Sequence, residues 1–121
     1  MEYAQQLEEL VLSVAREDAS DLHIAVGRHP TLRITGQLVP LVDKPVFTPE
    51  ITEGLVMAML EEGEKKELYA RHEIDFSFSY KDKLRFRGNA YFQRGYLGCS
   101  LRLIPYTIRT LQELNLPDIL V

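Results

Sequence analysis

The sequence predicts an α+β domain in which helices pack on an antiparallel β-sheet, with elements in the order α-β-β-α-α-β-β-β. Three observations point there. Apolar side chains recur at helical spacing near the N-terminus, and at every second position beyond His72. Between these regions, Thr48-Pro49-Glu50 has the composition of a helix start.

Tyr3 to Glu17 places Tyr3, Leu7, Leu10, Val11 and Val14 on one side and acids on the other, an amphipathic helix. Asp18-Ala19-Ser20 breaks it. Asp21 to Val26 then alternates, with Leu22, Ile24 and Val26 on one face. Gly27-Arg28-His29-Pro30 is a turn, and Thr31 to Leu38 alternates again through Leu32, Ile34, Gly36 and Leu38, so the two runs read as a hairpin. Thr48 can cap the next helix, Pro49 suits its first position and Glu50 complements its dipole. Ile51, Leu55, Ala58 and Met59 form its expected buried stripe, Gly63 its end, and Glu64 to Arg71 a shorter helix. Ile74, Phe76 and Phe78 alternate with Asp75, Ser77 and Ser79, and Lys81-Asp82 is the next turn.

The last two strands carry the most specific expectation. Leu84, Phe86, Gly88, Ala90 and Phe92 share one face of the first, and Arg85, Arg87, Asn89, Tyr91 and Gln93 share the other. Leu97, Cys99, Leu101 and Leu103 form the apolar face of the second. The apolar faces must coincide, so even numbers pair with odd ones. A turn on Arg94-Gly95 makes paired numbers sum to 189 and sets Arg87 opposite Arg102. Like charges directly opposed are unfavourable. The pair makes sense if a carboxylate or phosphate sits between the two guanidiniums, whose planar fork suits either anion. The alternative is that each arginine pairs with a surface Asp or Glu of the same domain. Replacing either one is expected to leave stability unchanged or slightly higher.

Charge is placed unevenly. Residues 1–80 carry a net −8 and residues 81–121 a net +4, within a total of −4. The C-terminal third is therefore expected to face something negative, or an acidic surface of another chain. The stretch KLRFRGNAYFQRG (83–95) holds four positive side chains and no acid. A nucleic-acid surface is disfavoured, because the chain is acidic overall and the hairpin's polar face offers only Tyr91 for stacking. A small-ligand module is disfavoured because nothing polar interrupts the apolar faces. The single cysteine, Cys99, excludes an intrachain disulfide framework and falls on the apolar face. With no secretory signal and no membrane-length apolar run, the composition fits a cytosolic protein. His23 lies beside Asp21 on a polar strand face, but no third metal ligand accompanies them; a structural or interface role is expected. Asp75 is a candidate partner for a hairpin arginine. The acidic run Glu61 to Glu67 reads as a solvated helix end or a contact for a basic partner.

A family resemblance rests on several motifs in order. They are Ala19-Ser20-Asp21-Leu22-His23-Ile24, then Gly27-x-x-Pro30-x-x-Arg33-x-x-Gly36-x-Leu38, then Ile74-Asp75-Phe76-Ser77-Phe78. Arg85-Phe86-Arg87-x-Asn89-x-Tyr91-x-Gln93-Arg94-Gly95 follows, with Arg102-x-Ile104-Pro105 and Leu111-x-Glu113-Leu114-x-Leu116-Pro117. Together they resemble the opening of the PilT family of pilus-retraction ATPases, within the secretion ATPase superfamily. The short Gly27–Pro30 turn is more similar to the retraction branch than to the pilus-assembly branch.

The resemblance implies that residues 1–121 form a single PAS-like N-terminal domain, followed in the family by a RecA-like motor domain with the Walker motifs. No G-x-x-x-x-G-K-[ST] occurs here, and the apolar ending Asp118-Ile119-Leu120-Val121 suggests the N-terminal domain alone. The resemblance further implies a homo-hexamer that powers type IV pilus retraction. Its expected partners are motor domains of the same and neighbouring subunits and the inner-membrane pilus platform protein, at the cytoplasmic face of that membrane. ATP with Mg²⁺ would be used by the full-length protein, with no cofactor held tightly and no activity expected in this chain alone. Arg87 and Arg102 take the role of arginines that reach the ATP γ-phosphate. Of Arg85 and Arg94, either is a candidate for a nucleotide contact and the other for a neighbouring-subunit contact, and Asn89 and Tyr91 are candidates for the anion and the base. Asn89 could equally hydrogen-bond within the sheet, and Tyr91 cover its surface. A stand-alone PAS-like module binding a small anion or a protein partner is the alternative.

Overall fold

The computed structural model describes residues 3–81 and 83–104. Its elements are α1 (Tyr3–Arg16), β1 (Asp21–Ile24), β2 (Thr31–Ile34), β3 (Gln37–Pro40), α2 (Pro49–Met59), α3 (Glu62–Arg71), β4 (Glu73–Tyr80), β5 (Leu84–Gln93) and β6 (Tyr96–Leu103). The strands form one antiparallel sheet in the order β3-β2-β1-β6-β5-β4, so the α+β expectation holds.

Alternation explains why one sheet face is covered. Leu22, Ile24, Leu32, Phe76, Phe86, Ala90, Leu97, Cys99 and Leu101 are all buried, and α1, α2 and α3 lie against β1, β6 and β4 respectively. The helix stripe Leu7, Leu10, Val11 and Val14 closes the same core. Each such side chain taken fully out of water contributes about 1.5–3 kcal/mol. The other sheet face carries the intervening polar residues.

Two helix expectations shift. The buried stripe of α2 is Thr52, Leu55, Val56 and Met59, while Ala58 is exposed and Ile51 half-buried. Thr52 can turn inward because its hydroxyl donates to the Pro49 carbonyl at 3.1 Å. The Thr48 cap is present, its hydroxyl accepting from the Ile51 N–H at 3.3 Å. Helix α2 ends at Met59 rather than at Gly63, which sits in the first turn of α3. There the Glu64 carboxylate accepts from the Glu61 N–H at 3.0 Å, and that cap starts a new helix earlier than the glycine suggests.

The stretch Thr31 to Leu38 is two strands, not one. Thr35 and Gly36 both adopt left-handed backbone, with φ of 45° and 82°, and a two-residue loop of that kind reverses the chain. Leu38 therefore pairs with Arg33 and shares its polar face instead of entering the core. It is 55% exposed, on the sheet-edge strand β3.

The β5–β6 hairpin has the expected register. Phe86 pairs with Leu103, Arg87 with Arg102 and Phe92 with Leu97, around left-handed Arg94 and Gly95. Of the Lys81-Asp82 turn, Lys81 has φ of 49°, while Asp82 lies outside the described residues, as do Pro105 and the motif from Leu111 to Pro117.

Candidate functional site

Directly opposed residues of antiparallel strands project to the same side, so the registers turn the open face into rows. One row runs Arg33, Asp21, Arg102, Arg87 and Ser77 from β2 to β4. The next runs Thr31, His23, Ser100, Asn89 and Asp75. Between them lies an open groove of about 380 Å³, lined by Asp21, Asp75, Ser77, Arg87, Asn89, Ser100 and Arg102 over Phe76, Gly88 and Leu101.

The two arginines have different surroundings. Arg102 donates through Nε to Asp21 Oδ2 at 3.1 Å. Among the described residues, Arg87 has neither an ion pair nor a side-chain hydrogen bond. The pairing alternative thus holds, among the described residues, for Arg102 and not for Arg87. The Asp21 side chain is 9% exposed against 72% for Arg102, so a nearly buried carboxylate holds an exposed guanidinium. Burial by itself would raise the Asp21 pKa. The Ser20 hydroxyl, the Arg102 hydrogen bond and charge, and the nearby His23 outweigh it and hold the carboxyl below its ordinary value. Ser20 Oγ donates to Asp21 Oδ1 at 2.6 Å.

Asp75 does not pair with a hairpin arginine. Register places it opposite Asn89, whose side-chain amide donates to Asp75 Oδ1 at 2.8 Å and to Glu73 Oε2 at 3.1 Å. Asn89 therefore serves the sheet. Tyr91 is half-buried beside Gly98, where an added Cβ would sit 3.0 Å from its ring. Burial is the main reason its phenol pKa is raised, and it covers sheet surface. Arg85 lies opposite Ser79, two pairs along from the groove-lining Ser77–Arg87 pair. Arg94 lines a separate concavity with Arg28, Gln93 and Tyr96. His23 sits between Thr31 and Ser100, its Nε2 buried without a hydrogen-bond partner among the described residues. Cys99 is fully buried, and burial pushes its pKa up to about 12, which fits an inert thiol.

The residue missed by sequence reasoning is Asp21 as the Arg102 counterion. Eighty-one positions separate the two, and only the β1–β6 adjacency joins them. Parity within a hairpin carries no information about which distant strand comes alongside.

No family model matches the chain. The type IV pilus ATPase PilU of Pseudomonas aeruginosa is 34% identical over 115 residues, 95% of this chain and 30% of that protein. The pilus retraction ATPase PilT of the same organism is 31% identical over 111 residues, 92% of this chain and 32% of the relative. The crystal structure of the pilus retraction motor PilT with bound ADP superposes with a TM-score of 0.77 at 35% identity, over 91% of this chain and 32% of that one. The chain spans about a third of the length of these relatives. An antiparallel six-stranded sheet with three helices on one face matches the N-terminal domain of a pilus motor ATPase. The chain belongs to the PilT family, as its N-terminal domain.

Proposed function

We propose that this chain is the PAS-like N-terminal domain of a hexameric ATPase that powers type IV pilus retraction, with Arg87 and Arg102 directed at the γ-phosphate of ATP held by a RecA-like motor domain. The observation that carries the reading is the Arg87–Arg102 register pair in an open groove, with only one of the two guanidiniums matched by a carboxylate among the described residues. Two adjacent cationic forks on a rigid sheet suit a phosphoryl group that gains charge as it is transferred. They do not suit the adenosine end of a nucleotide, and neither tyrosine of the hairpin's polar face lines the groove: Tyr91 covers sheet surface beside Gly98, and Tyr96 lies opposite Gln93 next to the turn.

The division of labour follows from what the 121 residues contain. There is no phosphate-cradling loop with its lysine, so the β-phosphate and Mg²⁺ fall to the motor domain. The task left to this domain is to bring positive charge against the terminal phosphate when the two domains close. That contact would couple nucleotide state to domain position, the output a motor needs. In this reading the assembly works at the cytoplasmic side of the inner membrane against the pilus platform protein. Among the described residues no helix is long and apolar enough to cross a membrane.

The test is steady-state ATP turnover of the complete motor subunit. Arg87→Ala and Arg102→Ala should each lower kcat at least about tenfold, a cautious share of the 10³–10⁵ that an arginine finger supplies. Arg87→Lys should rescue poorly, because an ammonium lacks the fork. Unchanged turnover in both alanine variants would remove the γ-phosphate assignment.

A further inference from the structure

We propose that Asp21 is a positioning residue, fixing the Arg102 guanidinium on the open sheet face so that its two Nη groups, beside Arg87, meet an incoming phosphoryl group. The inference rests on the reading of Arg87 and Arg102 as phosphate ligands.

The geometry is specific. Asp21 engages Arg102 through Nε at 3.1 Å, and among the described residues the Nη pair has no hydrogen-bond partner. An Nη-directed ion pair would instead occupy the donors that a phosphate needs. The carboxylate is itself held at its other oxygen by Ser20 Oγ at 2.6 Å. The backbone beneath is pinned from both sides, since Ser20 N–H donates to the Arg33 carbonyl and Leu103 N–H to the Ser20 carbonyl, each at 2.9 Å. A nearly buried anion on a central strand thus anchors a side chain that is 72% exposed.

Two consequences follow. An arginine already held in one orientation loses less freedom on capturing a ligand than one that samples solvent. The carboxylate also offsets the repulsion between two guanidiniums in adjacent register, so the pair persists before any phosphate arrives. Arg102 is then the preset donor and Arg87, without a partner among the described residues, the adaptive one.

The inference is tested on this chain and on the complete motor subunit. In the chain, the Arg102 Nε–H resonance should exchange with solvent more slowly than that of Arg87. Asp21→Asn, which keeps the volume, and Asp21→Ala should both abolish that difference, and Ser20→Ala should reduce it. In the motor subunit, Asp21→Asn should lower kcat about tenfold, within the ~100-fold that misplacement by about 1 Å can cost, while KM moves little. Lost protection together with lost kcat supports the proposal. If Arg102→Ala impairs turnover but folded Asp21 variants turn over normally, positioning by Asp21 is refuted and the phosphate reading stands. If Arg102→Ala turns over normally, both fall. If the Asp21 variants do not fold, Ser20→Ala decides: unchanged Arg102 exchange and unchanged kcat overturn the proposal.

Discussion

Removing Arg102 and removing Arg87 should have opposite effects on the stability of this chain, although the two side chains are neighbours of the same type. Arg102→Ala deletes the hydrogen-bonded ion pair with Asp21. A hydrogen bond to a charged group contributes about 1.5–3 kcal/mol, and an exposed ion pair only about 0.2–1. With the guanidinium 72% exposed and the carboxylate 9% exposed, a value near 1 kcal/mol is appropriate after screening. Relief of the Arg87–Arg102 repulsion returns a few tenths. The expected net loss is about 0.5–1 kcal/mol, or roughly 2–5 °C in Tm for a domain of this size. Arg87→Ala loses no ion pair among the described residues, so its effect should lie between zero and a gain of about 0.5 kcal/mol. Linkage gives a second signature. The folded pKa of Asp21 is lowered from 3.8, so its contribution is fully present above that value and is lost as the pH falls through the folded value. The penalty of Arg102→Ala should therefore be complete at neutral pH and shrink in that acid range, whereas the Arg87→Ala effect should respond to salt rather than to pH. Urea denaturation of wild type and both variants, at neutral and acid pH, measures all of this. Equal effects of the two substitutions, or an Arg102→Ala penalty of the same size below the Asp21 titration, would refute the ion-pair assignment. The sequence alone leads to the expectation that neither substitution destabilises; the Asp21 contact changes that for Arg102.

Cys99 should react slowly with a thiol reagent in the folded chain and fast in denaturant, because burial pushes its pKa up to about 12; equal rates would mean the core face of β6 opens readily. Gly88→Ala should destabilise the chain by about 1–3 kcal/mol, since the new Cβ would collide with the Phe76 ring packed over that position; a variant as stable as wild type in urea would mean the ring moves freely. Thr48→Ala should cost about 1 kcal/mol through loss of the α2 cap, read from the same titration. The purified chain should hydrolyse no ATP, having no phosphate-cradling loop; turnover above buffer that Arg87→Ala abolishes would overturn the division of labour between domains.

Local physics made some of this structure legible from residues and hid the rest. The β5–β6 register could be read because two apolar faces fix its parity, and a turn at Arg94-Gly95, left-handed in the structure, selects among the registers two residues apart that parity allows. Thr35-Gly36 was harder, since a two-residue reversal inside an alternating run leaves the run looking continuous; the left-handed φ of both residues and the Arg33–Leu38 pairing reveal it. In α2 the apolar residues surround more than one face, so the stripe could be drawn through Ala58 until Thr52 was seen to bury its hydroxyl against Pro49. At the candidate site, the arginine pair is a hairpin property and was readable. The Asp21 counterion is a property of strand order, on which alternation is silent.

That strand order bears on how the chain comes into being. Strand β6 lies between β1 and β5, so the earliest of the described strands is completed by the latest of them. On a ribosome, β1 to β3 and β4 to β5 can emerge and pair within their own groups, but no shared sheet exists until residues 96–103 arrive. Closure over 81 positions costs only modestly more entropy than closure over a shorter loop, yet such non-local pairing slows the search. A nascent or truncated chain ending before Tyr96 would expose the inner edges of both groups to any passing strand. The arginine pair and its counterion would be absent from such a species. They form only when the two halves join, which makes the site itself a reporter of completed folding.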